Sequence, residues 1–209
     1  MSFDLFILLD ESTSNLQQMW VEKMKQVGVD VKFPHGFDIG KEEFEDVSLE
    51  VRFIPPLMKT ATEFESFEFN FDFIPITQES RDDYLECVES IEMKEKIKSM
   101  TIELQLYSQS GRSDMALIFQ CFAAACLVDA GKGVLFDPQE FGAIDGTEVY
   151  KVAKAHCHYE LEQINGAQSN VSASTDRSSP NNKYKTVKLW VAIVLGALAL
   201  DGIWHVFLK

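Results

Sequence analysis

Two short groups of residues have side chains that could carry out chemistry. His156, Cys157 and His158 are residue types that bind zinc and other transition metals. Adjacent residues of a helix point to different faces, so these three could share one ion only if the helix broke there. Gly131-Lys132-Gly133 lacks the upstream glycine and the following Ser or Thr of a phosphate-binding loop. We therefore predict a helix end at these glycines, and no metal or cofactor site.

Other catalytic motifs are missing from the sequence. It contains no GxGxxG sequence and no nucleophile elbow. Acidic pairs such as Glu42-Glu43 and Asp82-Asp83 carry little information, because acidic residues are common throughout the chain. The sequence therefore predicts a protein that is not an enzyme. The alternative is an enzyme whose site is built from loops and leaves no motif.

The charges of the chain are unevenly distributed. Up to residue 164 there are 14 basic and 31 acidic residues, a net charge of −17, whereas the remainder carries +3. A field of that sign repels phosphate backbones, which argues against nucleic-acid binding and favours a basic protein partner. The alternative is that the acidic residues only keep the domain soluble.

Residues 1–164 alternate between strand and helix patterns. They are predicted to form one globular α+β domain, a mostly antiparallel sheet with packed helices. Met115–Val128 is apolar all round and too short to span a bilayer, so it is predicted to be a buried central helix that Ser113 caps. Ser14 and Gln17 have the spacing of a capping box. Strands are predicted at 3–9, 29–33, 47–53, 67–73, 101–107 and 133–136, and the other helices at 14–27, 78–99 and 147–164.

The strand at 67–73 has the clearest alternation. Phe67, Phe69, Phe71 and Phe73 fall on one face, which we predict to be part of the core. Glu68, Asn70 and Asp72 fall on the other face. This polar face is either the solvated side of the sheet or a docking surface for a basic partner, and its three residues are our candidate partner-binding residues.

The C-terminal part of the chain is predicted to be a tether and a membrane anchor. Residues 165–182 are rich in Ser and Asn and are predicted to be a flexible linker. Within 183–209, Leu189–Leu208 has the roughly 20 mostly apolar residues that a single transmembrane helix needs. Three lysines precede it, which predicts an N-terminal domain in the cytoplasm and a single-pass protein of the inner membrane: Lys183, Lys185 and Lys188.

Asp201 and His205 are the two ionisable residues inside this apolar segment. They are four residues apart and therefore share one helix face. Their polar groups could contact a partner helix or line an ion path. The alternative is that both lie near the far interface and are hydrated. We name them as candidate polar contacts of the membrane helix.

Two stretches of the sequence resemble a class of small bacterial proteins. The chain begins MSFDLFI, and an apolar helix is followed by GKGVLFDPQ at Gly131–Gln139. Proteins that open with an MSxD strand and carry a GxxxDPQ turn include some that resemble immunity proteins of polymorphic toxin systems. This resemblance implies a protein that binds and neutralises a toxin, but it identifies no toxin-binding residues.

Together these observations predict a non-catalytic protein-binding module tethered to the membrane. An immunity protein that neutralises a basic toxin is the form of that function implied by the resemblance. Besides an enzyme with a loop-built site, the alternative is an accessory subunit of a membrane complex.

Overall fold

A seven-stranded antiparallel sheet is the framework of the protein, seen in a computed structural model that describes residues 5–10, 15–39, 44–108, 113–137 and 142–173. Within these residues the strand order is β2-β3-β4-β5-β1-β6-β7. The strands are β1 (Phe6–Leu9), β2 (Val29–Lys32), β3 (Phe44–Phe53), β4 (Glu65–Pro75), β5 (Ile102–Ser108), β6 (Val134–Asp137) and β7 (Gly142–Ile144). The helices are α1 (Leu16–Val27), α2 (Gln78–Glu86), α3 (Ile91–Ser99), α4 (Asp114–Gly131), α5 (Glu148–His156) and α6 (His158–Ala173).

The apolar helix α4 occupies the centre of the domain, as predicted. Ser113 caps it by accepting a hydrogen bond from the Ala116 backbone N–H, and Lys132 ends it in the left-handed conformation. The next residue, Gly133, lies so close to strand β1 that no side chain fits there. A Cβ at this position would lie 2.3 Å from the Leu8 carbonyl oxygen. Among the described residues α4 alone is long and apolar enough to cross a membrane, yet 83% of it is buried inside the domain.

One face of the sheet packs against α4 and α1, and α5 packs against α4. The prediction of an aromatic core face is confirmed, because Phe69 and Phe71 of β4 are buried and Phe67 and Phe73 pack on the same cluster. Trp20 of α1 joins this cluster and donates its indole N–H to the Ala123 carbonyl of α4. Burial of this continuous aromatic and aliphatic surface supplies the main driving force for folding.

The opposite face of the sheet is covered over only part of its width. Tyr84 of α2, Val88 between the two helices and Ile97 of α3 pack in a second cluster that contains Leu8 of β1 and Phe136 of β6. On the same face, the described side chains of β2, β3 and β4 are exposed or half-buried. The sheet therefore presents a polar surface beside the two-helix layer.

Both of the long helices predicted outside the core are divided in two. The segment predicted as one helix over 78–99 is broken after Glu86, and Ser90 caps the second helix by accepting from the Met93 backbone N–H. The segment predicted as one helix over 147–164 is broken at Cys157. The prediction of a single helix at each of these two places was therefore wrong. The short strand β7 was not predicted.

The structure bears on only the first part of the predicted tether. Helix α6 continues to Ala173, so residues 165–173 are helical where the sequence predicts a linker. Residues 174–209 lie outside the described residues. The predicted membrane anchor, with Asp201 and His205, falls in that part of the chain.

Candidate partner-binding site

The three candidate residues of β4 lie together on the partly uncovered sheet face. Glu68 is exposed, and Asn70 and Asp72 are half-buried. Their nearest neighbours in register also point to this face. Ser48 lies opposite Glu68, Tyr107 opposite Asn70, and Gln105 opposite Asp72. The site is thus a surface three strands wide that rests on the rigid sheet. We call it the polar sheet face.

The cations of the polar sheet face are already paired near its edge. Lys32 Nζ lies 2.7 Å from Glu50 Oε2, and Arg52 Nη2 lies 2.7 Å from Asp30 Oδ2. Both cations also lie over the ring of Phe64, at 3.8 Å for Lys32 Nζ and 4.6 Å for Arg52 Cζ. These contacts hold the two cations at the β2–β3 edge of the face.

The carboxylates of Glu68 and Asp72 lack such partners. Within the described part of the chain, neither makes an ion pair or a side-chain hydrogen bond. Because they lie two residues apart on one strand, both point the same way. They give the centre of the polar sheet face a negative charge that the nearby Lys32 and Arg52 do not compensate.

A third carboxylate marks the boundary between this face and the two-helix layer. Glu103 of β5 is 7% exposed. It accepts from the Tyr84 hydroxyl at 2.6 Å and from the Gln105 side-chain amide at 2.5 Å. Burial, together with the Glu103 carboxylate, raises the pKa of Tyr84 well above its usual range, so the hydroxyl keeps the proton that it donates. Glu103 therefore fastens α2 to the sheet and is itself inaccessible.

A cavity of about 930 Å³ lies on the other side of the domain, at the start of α1. Leu16 and Val21 of α1, Phe37 and Phe73 give it apolar walls. Three carboxylates also line it, those of Asp10, Glu22 and Asp38. The sequence did not predict this site, because its walls come from segments that are distant in the chain.

A smaller cavity of about 410 Å³ is lined by Tyr150, Lys154 and His158, among others. The Tyr150 hydroxyl donates to Asp129 at 2.7 Å, and Lys23 pairs with the same carboxylate at 2.8 Å. Burial favours a higher pKa for Asp129, but the Lys23 ammonium and the Tyr150 hydroxyl outweigh it and lower the pKa.

The neighbouring Cys126 is an inert thiol. Burial raises its pKa to about 12. A thiol with such a pKa carries almost no thiolate near neutral pH, so this group of side chains does not activate a nucleophile.

The two histidines that resembled metal ligands point to different partners. The helix does break between them, at Cys157, which was the condition for a shared ion. However, His156 Nε2 lies 2.8 Å from Asp137 Oδ2 in the interior, whereas His158 is 70% exposed and lies 3.4 Å from Glu162. Among the described residues, no three His, Cys, Asp or Glu side chains are grouped to hold a metal ion.

Comparison with known proteins adds no family to these observations. No protein-family model matches the chain, and no curated protein and no solved structure matches it. The function must therefore be inferred from the residues of this chain.

Proposed function

We propose that this chain is a non-catalytic protein-binding module that is tethered to the inner membrane and whose polar sheet face binds a basic protein. The observation that carries the proposal is the position of two carboxylates, Glu68 and Asp72, that have no partner among the described residues and lie on a sheet face whose nearby cations are already engaged. A partner that brings Lys or Arg to this face gains their attraction without breaking an existing ion pair. The net charge of −17 for residues 1–164 would steer such a partner towards the domain.

The proposed location follows from the sequence of the last 27 residues. Leu189–Leu208 would form a single transmembrane helix, and the lysines before it would keep the domain in the cytoplasm. In this arrangement Asp201 and His205 would lie within the membrane segment. An immunity protein that neutralises a basic toxin is the specific form of this proposal, because such a protein needs no catalytic group.

The alternative of an enzyme with a loop-built site is favoured by one observation, the cavity at the start of α1. Its described lining residues include carboxylates and amides, but no Ser, Thr, Cys, His, Lys, Arg or Tyr. Nucleophilic catalysis would therefore need a group from elsewhere in the chain. Acid–base catalysis by the carboxylates is the chemistry that this cavity could support.

The tethering part of the proposal is tested by cell fractionation. The full chain and a chain that ends at residue 182 are expressed in bacteria, and membranes are washed with salt and with alkaline carbonate. We expect the full chain to stay in the membrane pellet and the shortened chain to be soluble. A full chain that the carbonate wash releases would overturn the anchor.

The binding part is tested by photo-crosslinking from within the full chain. A photoreactive amino acid replaces Glu68 in one sample and Glu160 of α6, on the helix-covered side of the domain, in the control. We expect position 68 to crosslink to a discrete basic protein, and Asp72→Lys in the same chain to abolish that product. A product that forms equally from position 160, or that survives Asp72→Lys, would refute binding through the polar sheet face.

A further inference from the structure

The smaller cavity, of about 410 Å³, has an apolar interior of a size that suits a ligand. Its described lining comes from four helices and from the turn after β3: α1, α4, α5 and α6 are the helices. The apolar part consists of the buried ring of Phe122 on α4 and the half-buried side chains of Val27, Leu57 and Leu161. Small-molecule sites typically have volumes of roughly 300–1,000 Å³. The smaller cavity can therefore enclose the apolar part of a small ligand.

Two walls of the smaller cavity are joined by hydrogen bonds that form without a ligand. The Asn165 side chain of α6 accepts from the Lys59 backbone N–H at 3.1 Å and donates to the Leu161 carbonyl oxygen at 3.0 Å. The Leu57 backbone N–H donates to the Ile54 carbonyl oxygen at 3.1 Å, which closes the turn after β3. These bonds hold α6 against that turn. The walls are thus in place before a ligand arrives, which limits the entropy lost on binding.

Lys154 of α5 supplies an uncompensated positive charge to the smaller cavity. It makes no ion pair and no side-chain hydrogen bond within the described part of the chain. The other charged groups nearby already have partners, because His158 lies 3.4 Å from Glu162 and Lys23 pairs with Asp129 at 2.8 Å. The described residues that line the cavity include no Asp or Glu. A bound anion would therefore meet one available ammonium and no carboxylate of this lining.

We propose that the smaller cavity binds a small organic anion that joins a carboxylate to an apolar body. The apolar body lies against Phe122, Leu57 and Leu161, and the carboxylate faces Lys154. Because Lys154 is exposed, this contact is partly solvated and increases the affinity by about three- to fivefold. The net charge of −17 for residues 1–164 attracts cations, so a preference for the anion would have to come from the cavity itself.

The test is photolabelling of the purified full chain with two probes of one shape, 4-(4-azidophenyl)butyrate and 4-(4-azidophenyl)butylammonium. Each is titrated at about 0.15 M salt, where charges are screened within roughly 8 Å, and the labelled peptides are identified by mass spectrometry. We expect the carboxylate to label peptides that contain Phe122, Leu57 or Leu161 in a saturable way. Its half-saturating concentration should be at least about tenfold below that of the ammonium, which Lys154 repels.

Two variants with the same charge change locate the contact. Lys154→Gln removes the ammonium of the cavity. Lys151→Gln, on the same helix, removes an ammonium that pairs with Glu148 at 2.6 Å and is not part of the described lining. We expect Lys154→Gln to raise the half-saturating concentration of the carboxylate about three- to fivefold and Lys151→Gln to leave it unchanged. Both lysines are exposed, so both variants should fold, which circular dichroism checks.

Three results would overturn the proposal. Labelling by the carboxylate that does not saturate would mean that the cavity is not a binding site. Equal half-saturating concentrations for the two probes would mean that Lys154 plays no part. An equal loss in the two variants would show that the total charge, and not this ammonium, sets the affinity. The smaller cavity lies among helices on the core side of the sheet, so failure here leaves the crosslinking from position 68 unaffected.

Discussion

Replacing Tyr84 with phenylalanine should weaken the domain by an amount that depends on pH in a defined way. Tyr84 is one of two described donors to the buried Glu103 carboxylate, at 2.6 Å, and Gln105 is the other. Removing the hydroxyl leaves a buried charged acceptor short of one bond, which costs about 2 kcal/mol. We expect Tyr84→Phe to lower the free energy of unfolding by that amount at pH 8.

Burial of Tyr84 and its contact with Glu103 together make the effect disappear at alkaline pH, because both raise the Tyr84 pKa. The pKa of Tyr84 is raised above its unfolded value of about 10, so its stabilising effect is fully present below pH 10. Above that pH the unmodified protein loses about 1.4 kcal/mol per pH unit from this group, whereas the phenylalanine variant has no proton to lose there. At this slope a difference of about 2 kcal/mol between the two proteins is lost over about 1.5 pH units. Their free energies of unfolding should therefore become equal near pH 11.5, about 1.5 units above the unfolded pKa.

Urea unfolding of both proteins at four values from pH 8 to pH 11.5 measures this difference. Tyr159→Phe is the control, because Tyr159 is 67% exposed. We expect the control to stay within about 0.5 kcal/mol of the unmodified protein. A Tyr84→Phe difference below about 0.5 kcal/mol at pH 8, or one that is constant up to pH 11.5, would refute the link between Tyr84 and Glu103.

Three further predictions concern groups inside the domain. At pH 8 the exposed Cys87 should react with a disulfide reagent while Cys126, whose pKa is raised to about 12, should react only after unfolding; thiol counts in buffer and in urea check this. His156→Ala should lower the free energy of unfolding by about 3 kcal/mol, because Asp137 is 2% exposed and loses a partner, and an unchanged urea midpoint would contradict this. The lowered pKa of Asp129 gives stability that is lost as pH falls below its unfolded pKa, so the cost of Asp129→Asn in urea melts should be full at pH 7 and should shrink as the pH falls below about 4.

Periodicity in the sequence was sufficient to predict the core. The alternation of β4 placed its phenylalanines correctly, and the composition of α4 identified it as a buried helix. These patterns succeed because burial follows from local spacing of apolar residues. The Ser113 cap was also predictable, since its hydrogen bond reaches only three residues along the chain.

The remaining features depend on contacts that no local pattern records. Gln17 has the spacing of a capping box, yet Asn15 is the N-cap residue of α1 and the Gln17 side chain instead bonds to the segment 36–39, twenty residues away. Glu103 occupies a polar position of an alternating strand, and it is buried only because α2 and its Tyr84 cover it. The cavity at the start of α1 was missed for the same reason.

The most direct test of the proposed function is the affinity of the full chain for the protein that crosslinks to position 68. Glu68→Lys combined with Asp72→Lys should raise the dissociation constant at least about tenfold at 50 mM salt, because each reversal replaces an attraction with a repulsion. At 0.5 M salt the difference should shrink to less than about threefold, since charges at a solvated face are then screened within a few ångströms. The single reversal Glu160→Lys should have little effect at either salt concentration. Binding that is indifferent to salt and to both reversals on β4 would contradict recognition through the polar sheet face.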